Sequence, residues 1–104
     1  MIFSTSIDGG TVTLHITGEL DAVSVPDLRP VLDDLIGKGH KKIVVDLAGL
    51  RLIDSSGVGA IVYLFRRIRS LGGTVVVRGA TDQPLAILRL LKLDQILIAE
   101  GARI

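Results

Sequence analysis

The strongest constraint on this chain is a single change of periodicity. Lys42-Ile43-Val44-Val45-Asp46-Leu47 is β-branched and apolar and reads as a strand buried on both faces. Further on, Gly57, Ala60, Ile61, Leu64, Phe65, Ile68 and Leu71 recur at the three-and-four spacing of one helix face. The spacing predicts a helix from about Val58 to Leu71, closed by Gly72-Gly73. Between strand and helix lies Asp54-Ser55-Ser56-Gly57-Val58-Gly59, at or just before the helix N-terminus. The first N–H groups of a helix lack intrahelical partners and the macrodipole there is positive. An oxygen-bearing side chain is therefore favoured as a cap, and the same geometry stabilises an added phosphate.

Capping alone is the simplest reading of that cluster. Yet two serines, a carboxylate and two glycines exceed what one cap needs, and glycine in a helix costs about 1 kcal/mol against alanine. That cost points to another backbone or a bulky group approaching closely at Gly57 and Gly59.

The rest of the chain extends the same alternation. Met1–Ile7 and Thr11–Thr17 are β-prone runs joined by Asp8-Gly9-Gly10, a hairpin signal. Val12, Leu14 and Ile16 share one face of the second run, which places His15 on the polar face as a solvated or hydrogen-bonded side chain. Gly18-Glu19-Leu20-Asp21 closes this strand. Ser24 then reads as an N-cap with Asp27 as its capping-box acid, ahead of the stripe Leu28, Val31, Leu32, Leu35, Ile36. Pro30 is expected to bend that helix or shift its start, and His40 follows it as a solvated loop residue. Thr74–Arg78 is a further strand. Thr81 or Asp82 caps a helix over Leu85–Leu91, and Ile96-Leu97-Ile98 is a short last strand. Arg66, Arg67 and Arg69 fall off the apolar stripe of the second long helix, where solvated surface is the simplest reading and a partner-facing patch the alternative.

This order, β-β-α-β-α-β-α-β, predicts one α/β domain over residues 1–104: an N-terminal hairpin, then alternating strands and helices, in a mixed, largely parallel sheet. Hydrophobic residues at 48% and aromatics at 3% give a core of Leu, Ile and Val. With no cysteine, a disulfide framework, thiolate metal site and cysteine nucleophile are excluded. A net charge of +1 favours neither nucleic acid nor anionic lipid. Neither a signal peptide nor a membrane-spanning run is evident, so a cytoplasmic location without membrane insertion is expected. Right-handed crossovers set the Asp54 motif beside the end of the strand that carries Asp21, where α/β domains usually keep their sites.

Gly18-Glu19-Leu20-Asp21, Ile43-Val44-Val45-Asp46-Leu47, Ile53-Asp54-Ser55-Ser56-Gly57-Val58-Gly59 and Leu91-Lys92-Leu93-Asp94-Gln95-Ile96-Leu97 stand in an order and spacing that resembles the bacterial anti-sigma factor antagonists. These are stand-alone STAS domains. The resemblance implies phosphorylation of Ser55, with Ser56 as the alternative, by a GHKL-type serine kinase that is also the anti-sigma factor. A separate serine phosphatase would reverse it. It further implies a partner-binding surface of Asp21, Asp54, Ser55, Ser56, Gly57, Val58 and Gly59 on a chain that is monomeric when free. On that reading the chain is a kinase substrate without catalytic residues, metal or cofactor of its own.

The motifs of other classes are missing. There is no Gly-x-x-x-x-Gly-Lys loop, no third glycine of a dinucleotide fingerprint, and no Gly-x-Ser-x-Gly elbow around Ser55 or Ser56. A hydrolase would need His15 or His40 as base for Ser55. The other rival is a structural partner of an ABC-type transporter ATPase or a stress-signalling assembly, as other STAS domains are.

Overall fold

The computed structural model describes residues 2–93. Strands β1 (Ile2–Asp8), β2 (Thr11–Leu20), β3 (Lys42–Ile53) and β4 (Thr74–Arg78) form one sheet in that spatial order. β1 pairs antiparallel with β2; β2, β3 and β4 run parallel. Helices α1 (Val25–Gly37), α2 (Ser55–Ser70) and α3 (Asp82–Leu90) make the connections and follow β4. This is the expected α/β architecture. The expected last strand, Ile96–Ile98, lies outside the described residues.

The hairpin forms because Gly9 and Gly10, with φ of +58° and +85°, supply a turn whose twist matches the strands. Val12, Leu14 and Ile16 of β2, Ile43, Val45 and Leu47 of β3, and Val75 and Val77 of β4 then pack under Leu28 and Leu32 of α1 and Ala60, Ile61, Leu64 and Ile68 of α2.

Four expectations are corrected. Lys42–Leu47 is buried on one face only: Val44 and Asp46 on the other face stay partly exposed. The strand also continues to Ile53, because two register shifts against β2 break its alternation and space the buried residues as Leu47, Leu50 and Ile53. At the first shift, a Cβ on Gly49 would lie 2.5 Å from Cγ2 of the exposed Thr17, so any larger residue there would have to displace that side chain.

The second correction concerns α2, which starts at Ser55, three residues before the expected start near Val58. The third concerns α1. Ser24 occupies the N-cap position but its side chain does not cap, because Pro26 has no N–H to offer and the Asp27 N–H is taken by the Ser24 carbonyl. Pro30 neither ends the helix nor shifts its start: it and Pro26, four residues back, are both exposed, so solvent can take up the missing hydrogen bond. Finally, α3 begins at Asp82, whose φ of +51° is left-handed; Thr81 precedes it without a side-chain cap.

Candidate functional site

Leu20 and Ile53 are register partners at the carboxyl ends of β2 and β3, so Asp21 and Asp54 emerge side by side. Each opens a helical turn. The Asp21 carboxylate accepts from the N–H of Val23 at 3.1 Å and of Ser24 at 3.0 Å, while the Ser24 hydroxyl accepts from the Asp21 N–H at 2.9 Å. That reciprocal pair is a capping box three residues earlier than the sequence suggested. The Ser24 N–H, followed by its hydroxyl and the Val23 N–H, holds the Asp21 carboxyl below the ordinary carboxylate range, against the smaller opposing effect of burial.

Asp54 joins the two turns. Its Oδ1 accepts from the Gly57 N–H at 3.0 Å and caps α2; its Oδ2 accepts from the Ala22 N–H at 3.1 Å, in the turn that follows β2. The Asp54 N–H in turn donates to the Leu20 carbonyl at 3.1 Å. One carboxylate thus pins two helix entrances to two adjacent strand ends. Because Asp54 does the capping, Ser55 and Ser56 are left as the first two residues of α2, and no hydrogen bond within the described residues occupies either hydroxyl. Ser55 is exposed and Ser56 is half-buried.

The two glycines behave differently. A Cβ on Gly57 would lie 2.6 Å from the Leu20 carbonyl oxygen and 2.7 Å from Ile53 Cγ1, which is the close approach expected. A Cβ on Gly59 would meet nothing within 4 Å, so the expected close approach is absent there and the residue is exposed. Val58 is buried and faces the core rather than the surface.

Gln83 belongs to the site without a sequence signal. Its side-chain amide accepts from the Ile53 N–H and donates to the Ile53 carbonyl, both at 2.9 Å. Since β4 pairs with β3 only as far as Asp46, this amide takes the place of a strand at the far end of β3. Glu19, Asp21, Leu52, Asp54 and Gln83 border a shallow groove of about 210 Å³, and Val23, in the turn after Asp21, is 86% exposed.

Neither histidine approaches Asp54. His15 lies mid-sheet, with Nδ1 3.2 Å from Asp46 Oδ2, and His40 precedes β3 at the opposite end of that strand. Arg67 donates to the Tyr63 hydroxyl and Arg69 lies 5.7 Å from the Phe65 ring, consistent with helix-surface roles. Among the described residues no cluster of His, Cys, Asp or Glu could hold a metal ion, and no helix is long and apolar enough to cross a membrane.

Residues 3–99 match the family described as Mlab, STAS domain. The chain belongs to the STAS family. A relative in Thermotoga neapolitana, named as a homologue of an anti-sigma factor antagonist candidate, is 30% identical over 64% of this STAS domain, and the match spans only 58% of that relative's length. An anti-sigma-B factor antagonist of Listeria monocytogenes is 24% identical over 86% of the chain and 79% of its own. Among solved structures, an anti-sigma factor antagonist candidate of Thermotoga maritima superposes with a TM-score of 0.86 at 29% identity, covering 92% of this chain and 83% of the other. The anti-sigma factor antagonist SpoIIAA, unphosphorylated, gives 0.74 at 22% identity over 99% and 87%, a likeness of fold. SpoIIAA has also been solved in a phosphorylated form, with a TM-score of 0.73.

Proposed function

We propose that this STAS domain is an anti-sigma factor antagonist that switches partners by phosphorylation of Ser55. The observation that carries the reading is the division of roles at α2: Asp54 satisfies the helix end, and Ser55 is exposed with its hydroxyl unengaged. A serine serving as a cap would be committed to the backbone; this one is available to a kinase. Its exposure also favours it over the half-buried Ser56.

In the unmodified state Asp21, Asp54, Ser55, Ser56 and the open face at Gly59 form the surface that binds a GHKL-type kinase acting as anti-sigma factor, thereby freeing the sigma factor. Gly57 and Val58 set that surface from beneath. Phosphorylation adds between about one and two negative charges beside the Asp54 carboxylate. In a packed interface an unpaired charge of that kind costs several kcal/mol. In the free protein it meets the positive end of α2 and water, so the modified domain stays folded while the complex fails. A loss of roughly 3–4 kcal/mol lowers affinity by between two and three orders of magnitude. ATP and its metal belong to the kinase, and a separate phosphatase resets the switch.

The test is to incubate the protein with a GHKL-type kinase encoded near it and Mg-ATP, and to map phosphate by fragmentation mass spectrometry. Phosphate on Ser55 is expected, with kinase binding kept in Ser55→Ala and weakened at least roughly 100-fold in Ser55→Asp. No phosphate on either serine and no binding by a kinase proven active would overturn the reading, and co-purification with an ABC-type ATPase would replace it.

A further inference from the structure

We propose that β1 is a docking edge for a second copy of this chain, which joins two sheets into one across a two-fold axis at Thr5. Among the described residues β1 is paired on one side only. Free edges are normally blunted by lysine, proline, a bulge or shortness. β1 has none of these: it is seven residues long, runs against β2 without a register shift, and carries a single charge, Asp8, at the turn. Ile2 and Ile7 are 74% and 67% exposed on it.

The phase of the ladder decides what this edge can accept. The two-residue Gly9-Gly10 turn closes on a hydrogen-bonded Asp8–Thr11 pair, so by antiparallel alternation Ser6, Ser4 and Ile2 also bond to β2. Phe3, Thr5 and Ile7 therefore direct their N–H and C=O groups outward. Antiparallel pairing with a second β1 centred on Thr5 sets Phe3 against the second copy's Ile7, Thr5 against Thr5, and Ile7 against Phe3. Every outward donor then meets an outward acceptor, and the edge is complementary to itself.

The side chains agree with that register. Phe3, Thr5 and Ile7 share the helix-covered face, where Phe3 packs on the core and Thr5 and Ile7 line a groove of about 400 Å³ with Pro30, Val31 and Leu35 of α1. The incoming Phe3 would cover Ile7 at the mouth of that groove. On the other face Ser4 meets Ser6 and Ile2 meets Asp8, so no like charges stand opposite one another. A strand of this length buries less than the 1,200 Å² or so typical of stable complexes, so the dimer should depend on concentration, and the monomer expected from the sequence should prevail when the protein is dilute.

Sedimentation velocity of the full chain from about 5 µM to about 500 µM tests this. The mass is expected to move from one copy towards two. Thr5→Lys sets two ammonium groups opposite each other at the axis, and Thr5→Pro removes the outward N–H there without touching the β1–β2 ladder. Both should weaken the dimer at least roughly tenfold with circular dichroism unchanged, whereas Thr5→Val should retain it. Hydrogen exchange of the wild type gives a readout independent of these variants: the Phe3, Thr5 and Ile7 amides should gain protection as concentration rises. A wild type that stays a single copy throughout the range overturns the proposal. So does a dimer that survives both substitutions, or concentration-dependent protection elsewhere in its place.

Discussion

Gly57 and Gly59 sit two residues apart on α2, yet the chain uses them in opposite ways. Gly57 is pressed against the Leu20 carbonyl, and nothing larger fits unless the β2 end moves. Gly59 faces open space, where a methyl group would touch nothing. The first glycine is explained by packing within the chain. The second carries the helix cost of glycine with no return inside the folded domain, which directs attention to whatever meets that surface from outside.

The largest expected effect follows from the buried member. Gly57→Ala should destabilise the domain by about 3 kcal/mol in urea denaturation, because the obstructing atom is a backbone oxygen and not a flexible side chain. A loss below about 1 kcal/mol would mean that the strand end and helix yield easily, and the contrast would collapse. Next comes the pin between them. Asp54→Ala removes the cap and the tether to Ala22, and should cost about 1–2 kcal/mol while raising hydrogen exchange at the Ala22 and Gly57 amides. Gln83→Leu should cost about 1–2 kcal/mol as well, by leaving the Ile53 N–H and carbonyl without their partner, and should weaken the proposed kinase binding without altering α1.

The exposed member predicts a change of opposite sign. Gly59→Ala should raise stability by about 0.5–1 kcal/mol through helix propensity alone, while Gly59→Leu, equally well folded, should bind the proposed kinase partner less tightly. Unchanged binding by Gly59→Leu would remove this face from the proposed surface.

The smallest effect lies away from both glycines, on the sheet face opposite α1 and α2. Partial burial raises the Asp46 pKa, but the Ala48 N–H at 2.9 Å and the Arg78 guanidinium outweigh it and hold the carboxyl below its ordinary value. A carboxylate shifted this way adds stability that is complete above the ordinary carboxylate pKa of about 4 and is lost as pH falls through its folded value. Acid unfolding should therefore steepen below about pH 4, and Asp46→Asn should flatten it. An unchanged acid limb in that variant would assign the acid sensitivity to other groups, Asp21 among them.

Much of this was readable residue by residue. The alternation of Val12, Leu14 and Ile16, the Asp8-Gly9-Gly10 turn and the stripe from Ala60 to Ile68 identify their elements because the interactions that select them lie within a few residues. The end of β3 was hidden because its two register shifts abolish the alternation that marks a strand. The early capping box at Asp21 and Ser24 was hidden for a different reason: Ser24 and Asp27 fit the same pattern, and only the missing Pro26 N–H separates them.

The sequence by itself determined the strand and helix order, the apolar faces and the gathering of Asp21 and the Asp54 motif at neighbouring strand ends. Those follow from local periodicity and from the short, handed connections that parallel strands require. Tertiary structure alone decided that Asp54 would cap and leave Ser55 free, that Gln83 would hold Ile53, and which glycine would be packed. Asp54 meets Ala22 across 32 residues, and Gln83 meets Ile53 across 30. Such contacts depend on sheet register and helix placement, and no local pattern in the chain encodes either.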